Sequence, residues 1–417
     1  MRKKQELPEV EPVKLKSLWG MKPGVWLTVL YALILVLFIF FAGILPDLVH
    51  GFERVSFSSA SYNAAVYVDS KYAGGTPFTA KIPSGEHSVV YKVNEVEIDS
   101  FSIKVGKPVF FNWLFPRKMS VSSSAVINKA AYTALTKEFF TDLAAYSAIQ
   151  EYDSVNIYPP LYTNYVRTVL PSGLLDEKTF KLSLMFATTE EMKADAKEAL
   201  ALAGISSDFV SLCKSYDSSA SSGSSSSTLS KTALDAGSVH IDGWKINCSD
   251  GSSFNIAETE VSEALWAQFK GKDAASVSSV RPVRNITYTE ALEFCAWLSK
   301  LSGKNVRLPS EEEWLSASTF SNDGYQTLLV SLSEAKGPHA MLGGVWEMTS
   351  SYYVPLSCGA SDYQALQNLL KELGCECEIV VKGGSYVNSS SAINAQSRGA
   401  FPTNIGSEYL GFRIVWD

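Results

Sequence analysis

Histidine and positive charge are scarce in this chain. It has 4 histidines among 417 residues, and 36 Lys and Arg against 43 Asp and Glu give a net charge of −7. Nucleic-acid binding without sequence preference needs concentrated positive charge, so the composition argues against nucleic acid as a partner. Few histidines leave little room for a histidine-rich metal centre. The hydrophobic fraction of 46% supplies material for packed cores and excludes a chain that is disordered overall.

Charge is missing altogether between Pro23 and Pro46. As a helix, the apolar residues 25–45 would be roughly 30 Å long, which matches the hydrocarbon core of a bilayer. A cleaved signal peptide has a shorter apolar region of ~7–15 residues. The pattern therefore favours an uncleaved transmembrane anchor at 23–46, with the lipid bilayer as the partner of residues 25–45. No later stretch has this length and composition, so the sequence predicts a single-pass protein.

The flanks of this anchor differ in charge. The first 24 residues contain 6 basic and 3 acidic residues, a net charge of +3, and the remaining chain carries −10. The positive-inside rule then places residues 1–22 in the cytoplasm as a tail and everything after Asp47 across the membrane. We expect a location in the cytoplasmic (inner) membrane with the later domains outside the cytoplasm.

The 6 cysteines lie after the anchor, in a compartment that permits disulfides. An even count allows three bridges, and sequence does not choose among the pairings. Cys375 and Cys377 form a Cys-x-Cys, which could bind a metal or change redox state. The alternative is a structural half-cystine beside another cysteine.

Residues 57–111 alternate as short β-strands separated by Gly and Pro turns, which predicts a small all-β sandwich. Several positions here resemble the PEGA domain: Val66-Tyr67-Val68-Asp69, Gly75-Thr76-Pro77, Ile82-Pro83, Gly85, His87 and Val89. The resemblance implies a binding or spacer module without known chemistry, found in envelope proteins. His87 is interpreted as a structural residue at a strand edge.

Residues 118–217 change to helical spacing, and we predict a helical region there with no catalytic motif. One helix is expected after Thr188 or Thr189 as N-cap, ending at Gly204, with Met192, Ala196 and Leu200 on its buried side. Serine then dominates: 8 of the residues 218–227 are Ser. Such a run cannot bury apolar surface, so 218–230 is predicted to be a flexible linker.

Four separated motifs follow in residues 235–417. They are ETEVSEALWAQF, RPVRNITYTEALEFCAWLSKLSGKNVRLPSEEEW, GGVWEMTSSYY and KGGSYVNSSSAINAQSRGAFPTNIGSEYLGFRIV. Ser262 can cap a first helix, and Thr287 with Glu290 and Ser310 with Glu313 form capping boxes for two more. Together the motifs resemble the sulfatase-modifying-factor family, the formylglycine-generating enzymes. The resemblance implies an α+β, C-type-lectin-like domain with much irregular structure, in which Gly383, Gly384, Trp346, Gly411 and Arg413 are architectural.

The same resemblance implies where catalysis would occur. In the oxidases of the family, two thiols after the GGS motif bind copper, and soft thiolates do select Cu(I). Those positions are Asn388 and Ile393 here, so no catalytic residue is assigned, and Ser385 alone cannot carry out oxygen chemistry. The family's calcium site keeps Glu347 but has Ala340 where asparagine is expected. We expect no cofactor, with calcium at Glu347 as the one candidate metal.

The sequence therefore favours a membrane-anchored pseudoenzyme that binds or scaffolds in a bacterial cell envelope, in the periplasm. Its partner would be an envelope protein, a peptide or a glycan. Candidate residues for such a cleft are Ser385, Tyr386, Asn388, Tyr352 and Tyr353. The alternative is a formylglycine-generating oxidase that acts on sulfatases through a displaced copper site at Cys375 and Cys377. A purely structural envelope protein is the third hypothesis.

Overall fold

The structure is a computed structural model. It describes residues 15–45, 49, 51–61, 63–107, 112, 115, 117–148, 158–205, 214–215, 228–248, 251–321, 323–328, 336–357 and 360–417. The chain divides into two compact units, Met1–Ala131 and Tyr132–Asp417. Each unit has its own buried core, and they are described separately below.

The first element of the first unit is the apolar helix. Helix α1 (Pro23–Phe38) has Pro at its start, where a missing N–H costs nothing, and continues as a π-helical segment, Ile39–Ile44. In the part of the chain that the structure describes, these 22 residues form the one helix that is long and apolar enough to cross a membrane. The prediction of an N-terminal apolar helix is thus confirmed.

Two sheets make the predicted β-sandwich. One contains β1 (Phe52–Ser59), β4 (Phe78–Pro83) and β7 (Lys118–Ser123), with β1 in the middle. The other has the order β3 (Lys71–Gly75), β2 (Ala65–Val68), β5 (Gly85–Val93) and β6 (Val96–Val105). Alternate residues of both sheets are fully buried, among them Val55, Phe57, Val66 and Val89. This alternation is what a half-buried strand requires.

The limits of the sandwich differ from the predicted 57–111. It begins at Phe52, and residues 118–123, predicted to start the helical region, are strand β7. Strand β7 pairs in parallel with β1, Arg54 facing Lys118 and Ser59 facing Ser123. A strand of alternating Ser and apolar residues was misassigned because its pairing partner lies more than sixty residues earlier.

The second unit opens with four helices: α2 (Lys129–Ser147), α3 (Leu161–Val169), α4 (Glu177–Ser183) and α5 (Glu190–Ala203). The first residues of α2 belong to the first unit. Thr189 caps α5 by accepting a hydrogen bond from the N–H of Met192, and Gly204 ends it at a φ of +67°. The predicted stripe of Met192, Ala196 and Leu200 is buried. The helical middle region is therefore confirmed for the described residues between Lys129 and Ala203, whereas Lys214–Ser215, also predicted to belong to it, form a short strand.

The C-terminal part of this unit has two main sheets. The larger sheet has the order β12 (Val306–Arg307), β18 (Val415–Trp416), β11 (Ser253–Ala257), β10 (Val239–Asn247) and β9 (Thr228–Ala236). The other has the order β16 (Arg398–Phe401), β15 (Ile379–Lys382), β13 (Trp346–Tyr352) and β17 (Leu410–Phe412). Residues 228–230, predicted as linker, are thus the start of β9, while 218–227 lie outside the described residues.

Helices α6 (Glu263–Phe269), α7 (Tyr288–Ser302) and α8 (Glu311–Ser318) pack with these sheets. All three predicted caps are present: Ser262 caps α6, and the Thr287–Glu290 and Ser310–Glu313 capping boxes open α7 and α8. The inner face of α7 contributes Ala291, Phe294 and Leu298 to the core, as its spacing predicts. The expected α+β, β-rich architecture is confirmed.

A further helix, α9 (Ala360–Leu373), follows a two-residue strand, β14 (Leu356–Ser357), which pairs with β8 (Lys214–Ser215). After α9, the backbone N–H of Glu376 donates to Thr141 of α2 over 3.4 Å. The helical region and the C-terminal sheets are therefore in direct contact and share one compact unit.

Candidate functional site

The loop after β15 contains the positions that correspond to the family thiols. It starts with Gly383 and Gly384, which have φ values of +88° and +73°, the left-handed region that favours glycine. A Cβ on Gly383 would lie 2.6 Å from the carbonyl oxygen of Met341, and one on Gly384 would lie 2.6 Å from Cγ2 of Ile393. Both glycines are therefore needed for close packing, and Ile393 fills the space above Gly384.

Asn388 closes this loop by hydrogen bonding. Its Oδ1 accepts from the backbone N–H of Ser385 at 2.9 Å and from the Ser385 hydroxyl at 3.0 Å. The Tyr325 hydroxyl lies 2.8 Å from the carbonyl oxygen of Ser385 and 2.9 Å from that of Asn388. Ser385 is fully buried. The side chains at both family thiol positions, Asn388 and Ile393, thus support the loop.

Two residues of this loop, the half-buried Tyr386 and the exposed Val387, together with the exposed Tyr409 make up what we call the aromatic patch. The two tyrosine rings are 5.9 Å apart, and Val387 and Tyr409 are 55% and 45% exposed. No charged residue occurs from Gly383 to Ser397, a stretch rich in Ser and Asn. Tyr, Ser and Asn at an exposed surface are the residues that adaptable binding loops use.

The other two candidate cleft residues, Tyr352 and Tyr353, lie at the end of β13 and just after it. The N–H of Tyr386 donates to Gly344, just before β13 begins, whereas Tyr352 is the last residue of that strand. The seven residues of β13 extend roughly 20 Å, so its two ends are about that far apart. Tyr352 instead exchanges backbone hydrogen bonds with the Gln367 amide on α9, and the ring of Tyr353 stacks under Arg398 at 4.7 Å. The structure therefore brings Ser385, Tyr386 and Asn388 together and places Tyr352 apart from them.

Glu347, the calcium candidate, lies in a buried network. The Arg413 guanidinium donates to both of its carboxylate oxygens, at 3.0 and 2.8 Å, and the Trp314 indole N–H donates at 2.8 Å. The remaining N–H groups of Arg413 donate to the carbonyls of Ala257, Glu258 and His339. Arg413 is thus the central architectural residue that the GFR motif predicts.

A second buried carboxyl group, that of Glu260, lies beside this network. Its Oε1 has no hydrogen-bond partner among the described residues, and a Cβ on Gly344 would lie 2.4 Å from it. Burial, followed by the nearby charge of Glu347, raises the pKa of Glu260 to about 8. Sequence reasoning did not single out Glu260, because a Glu in a short polar run gives no sign of its burial.

Glu311 at the start of α8 holds another buried cluster. Its Oε1 accepts from Arg398 at 2.7 Å and lies 3.8 Å from Lys382 Nζ. Burial lowers the pKa of Lys382 to about 8. Lys382 Nζ also lies 5.6 Å above the ring of Trp314. These cations are held inside the protein, next to the loop but not exposed in it.

Cys375 and Cys377 are both 4% exposed and unpaired by disulfide. The sulfur of Cys375 lies 3.7 Å from the Lys137 carbonyl oxygen on α2. A hydrogen bond with Cys377 lowers the pKa of Cys375, and the same bond, together with burial, raises the pKa of Cys377. Their described neighbours belong to the contact between α2 and the end of α9, and the structure places neither thiol in the loop of Ser385.

Within the described ranges, no three His, Cys, Asp or Glu side chains cluster as metal ligands. His339 is buried with its Nδ1 2.8 Å from Asp323, and His240 lies 2.6 Å from Asp235. His87 lies in β5 and contacts Asp69 at 2.6 Å and the Pro83 carbonyl at 2.8 Å. The contacts of these three histidines are accounted for by neighbouring side chains and backbone.

Comparison with known families accounts for both β-rich regions. Residues 226–328 and 331–417 match the sulfatase-modifying factor enzyme 1-like domain, and residues 52–95 match the PEGA domain. The chain therefore carries both domains, and the resemblances noted in the sequence are confirmed.

Solved structures similar to the chain include Treponema denticola variable protein 1, at 18% identity and a TM-score of 0.36 over 45% of this chain and 98% of that protein. PvdO from Pseudomonas aeruginosa matches at 13% identity and a TM-score of 0.32, over 46% of this chain and 94% of its own. Curated proteins give no match.

Proposed function

We propose that this protein is a membrane-anchored, non-catalytic binding protein whose C-terminal domain recognises an envelope peptide or glycan through the aromatic patch. The observation that carries this proposal is that the side chains at both family thiol positions, Asn388 and Ile393, stabilise the loop after β15. Asn388 Oδ1 is occupied by two hydrogen bonds from Ser385, and Ile393 lies against Gly384. Neither side chain supplies the thiolate that would hold Cu(I).

The exposed surface supports a binding role. Exposed apolar side chains grouped on one side of a domain mark interaction sites more often than scattered ones do. Tyrosines give large contact area with few torsions to immobilise, and their hydroxyls add hydrogen bonds. Hence a ligand with both apolar faces and polar groups, such as a peptide or a glycan, suits this patch better than a charged one.

The proposed location follows from α1. An uncharged helix of 22 residues preceded by a basic tail supports a single-pass anchor in the inner membrane, with the N-terminus in the cytoplasm and both β-rich domains in the periplasm. A reporter fused after Asp417 should be active only outside the cytoplasm. Activity in the cytoplasm would contradict this orientation.

Binding is tested with the full chain in detergent micelles on peptide and glycan arrays. Saturable binding should weaken about tenfold or more in the Tyr386→Ala/Tyr409→Ala double variant. The matched control is Tyr67→Ala/Tyr72→Ala, which removes another tyrosine pair, 5.7 Å apart, in the sandwich. Equal loss in both variants, or no saturable binding, would overturn the proposal.

The oxidase alternative needs its own measurement. Stoichiometric Cu(I) binding that disappears in Cys375→Ser and Cys377→Ser, together with oxidation of a sulfatase-type cysteine peptide, would overturn the non-catalytic function. We expect neither, because these thiols are buried against α2.

A further inference from the structure

Residues Leu15–Lys22, which we call the interfacial turn, fold tightly just before helix α1. The N–H of Met21 donates to the carbonyl of Leu18 over 3.0 Å. The two central residues, Trp19 and Gly20, have φ values of +52° and +75°. Positive φ at both central positions is the requirement of a type I′ turn.

Trp19 is an unusual residue for this position. Glycine, asparagine and aspartate are the residues that normally occupy the left-handed region, and a bulky side chain there is an outlier. Trp19 is also 90% exposed, while Leu15 and Leu18 are 45% and 50% exposed. The turn therefore presents its largest apolar side chain outward, at a conformational cost that a water-facing turn would not need.

The interfacial turn is tied to the start of the helix. The Trp26 indole N–H donates to the carbonyl of Lys16 over 3.3 Å, across ten residues. Lys22 is the N-cap residue of α1 and makes no side-chain cap, and both Lys16 and Lys22 are exposed. Apolar and basic side chains thus meet at the same end of the apolar helix.

We propose that the interfacial turn binds the headgroup layer of the bilayer that receives Pro23–Ile44. Trp19 and the two leucines enter the boundary between headgroups and acyl chains, where tryptophan is favoured. Lys16 and Lys22 lie at the level of the anionic lipid phosphates. This inference rests on the proposed membrane anchor, and continuity with α1 is the reason for choosing lipid over a protein groove.

The test uses the full chain reconstituted in vesicles of phosphatidylcholine and phosphatidylglycerol. The fluorescence emission of Trp19 is obtained by subtracting the emission of the Trp19→Phe variant from that of the parent protein. We expect lipids brominated near the headgroup end of the acyl chain to remove more than half of this emission, and aqueous iodide to remove little. In Gly20→Ala, which strains the turn without removing any of these side chains, iodide quenching of the emission should increase.

Trp297 is the control, since it packs half-buried against the C-terminal core and its emission should not respond to brominated lipid. An alkaline wash separates the two ways of failing. If the vesicles retain the chain but Trp19 is quenched by iodide and not by brominated lipid, the proposal that the interfacial turn binds the headgroup layer is wrong. If the wash removes the chain, the anchor itself is wrong and this inference falls with it.

Discussion

Arg413 and Glu347 form a two-pronged ion pair with no solvent access, 2.8 Å apart at Nη2 and Oε1. The pair joins the residue after β17 to β13, and Arg413 also donates to the carbonyl oxygens of the last residue of β11, Ala257, and of the next residue, Glu258. Removing one partner of a buried ion pair leaves an uncompensated charge, which typically costs ~3–5 kcal/mol.

We therefore expect Arg413→Met to lower the free energy of unfolding of the second unit by that order. Urea denaturation followed by tryptophan fluorescence measures the change. Lys300→Met, which removes an exposed cation from the last turn of α7, serves as the matched control and should change little. Similar stability of the two variants would show that the pair is not central to the fold.

Glu260 predicts a pH dependence of stability. Its folded pKa of about 8 lies above the ordinary value of 4.5, so the folded state binds a proton that the unfolded state has lost between these values. Its contribution is thus fully present below pH 4.5 and is lost as the pH rises to 8. Thermal melting of Glu260→Gln should lose this downward slope between pH 5 and 8. A slope identical to that of the parent protein would contradict the shift.

The hydrogen bonds of Asn388 are expected to keep the loop after β15 in its folded conformation. Asn388→Ala removes both hydrogen bonds from Ser385, and a hydrogen bond of this kind contributes about 1 kcal/mol. Hydrogen exchange of the Ser385 amide should accelerate about tenfold while the amides of β15 keep their protection. Ser389→Ala is the control, because its exposed hydroxyl contacts only the Ser391 hydroxyl among the described residues. Unchanged exchange at Ser385 would remove the evidence that Asn388 closes the loop.

Calcium is predicted to have no effect on stability. Both oxygens of Glu347 already accept hydrogen bonds, and the position where the family pattern has asparagine is Ala340, whose side chain offers no oxygen. Melting temperatures in millimolar calcium and in EDTA should therefore agree. A calcium-dependent rise that Glu347→Gln removes would establish a metal site after all.

Local signals in the sequence predicted those elements whose stabilising contacts lie within a few residues of one another. The caps at Ser262, Thr287 and Ser310 were predicted because capping needs only neighbours within one turn. Strand β7 was missed because its partner is distant in sequence, and α9 was missed because it lies between two motifs. Local patterns do not contain the pairing energy of remote strands.

The site was predicted less completely than the fold. Ser385, Tyr386 and Asn388 do come together, since they are near neighbours in one loop. Tyr409, just before β17, packs its ring near that of Tyr386. Tyr352 lies away from them, at the far end of β13. Aromatic residues in a motif identify a domain, but only the strand register decides which of them share a surface.

Strand β18 lies between β12 and β11 in the larger sheet, and the Asn255 amide donates to Trp416 across 161 residues. This sheet cannot be completed until residue 416 has been synthesised, and pairings over such distances form slowly. During synthesis β11 would wait with an unpaired edge, which is an aggregation hazard. Strand β12, which pairs with β18 on its other side, therefore has no connection to the rest of this sheet until the residues of β18 enter it.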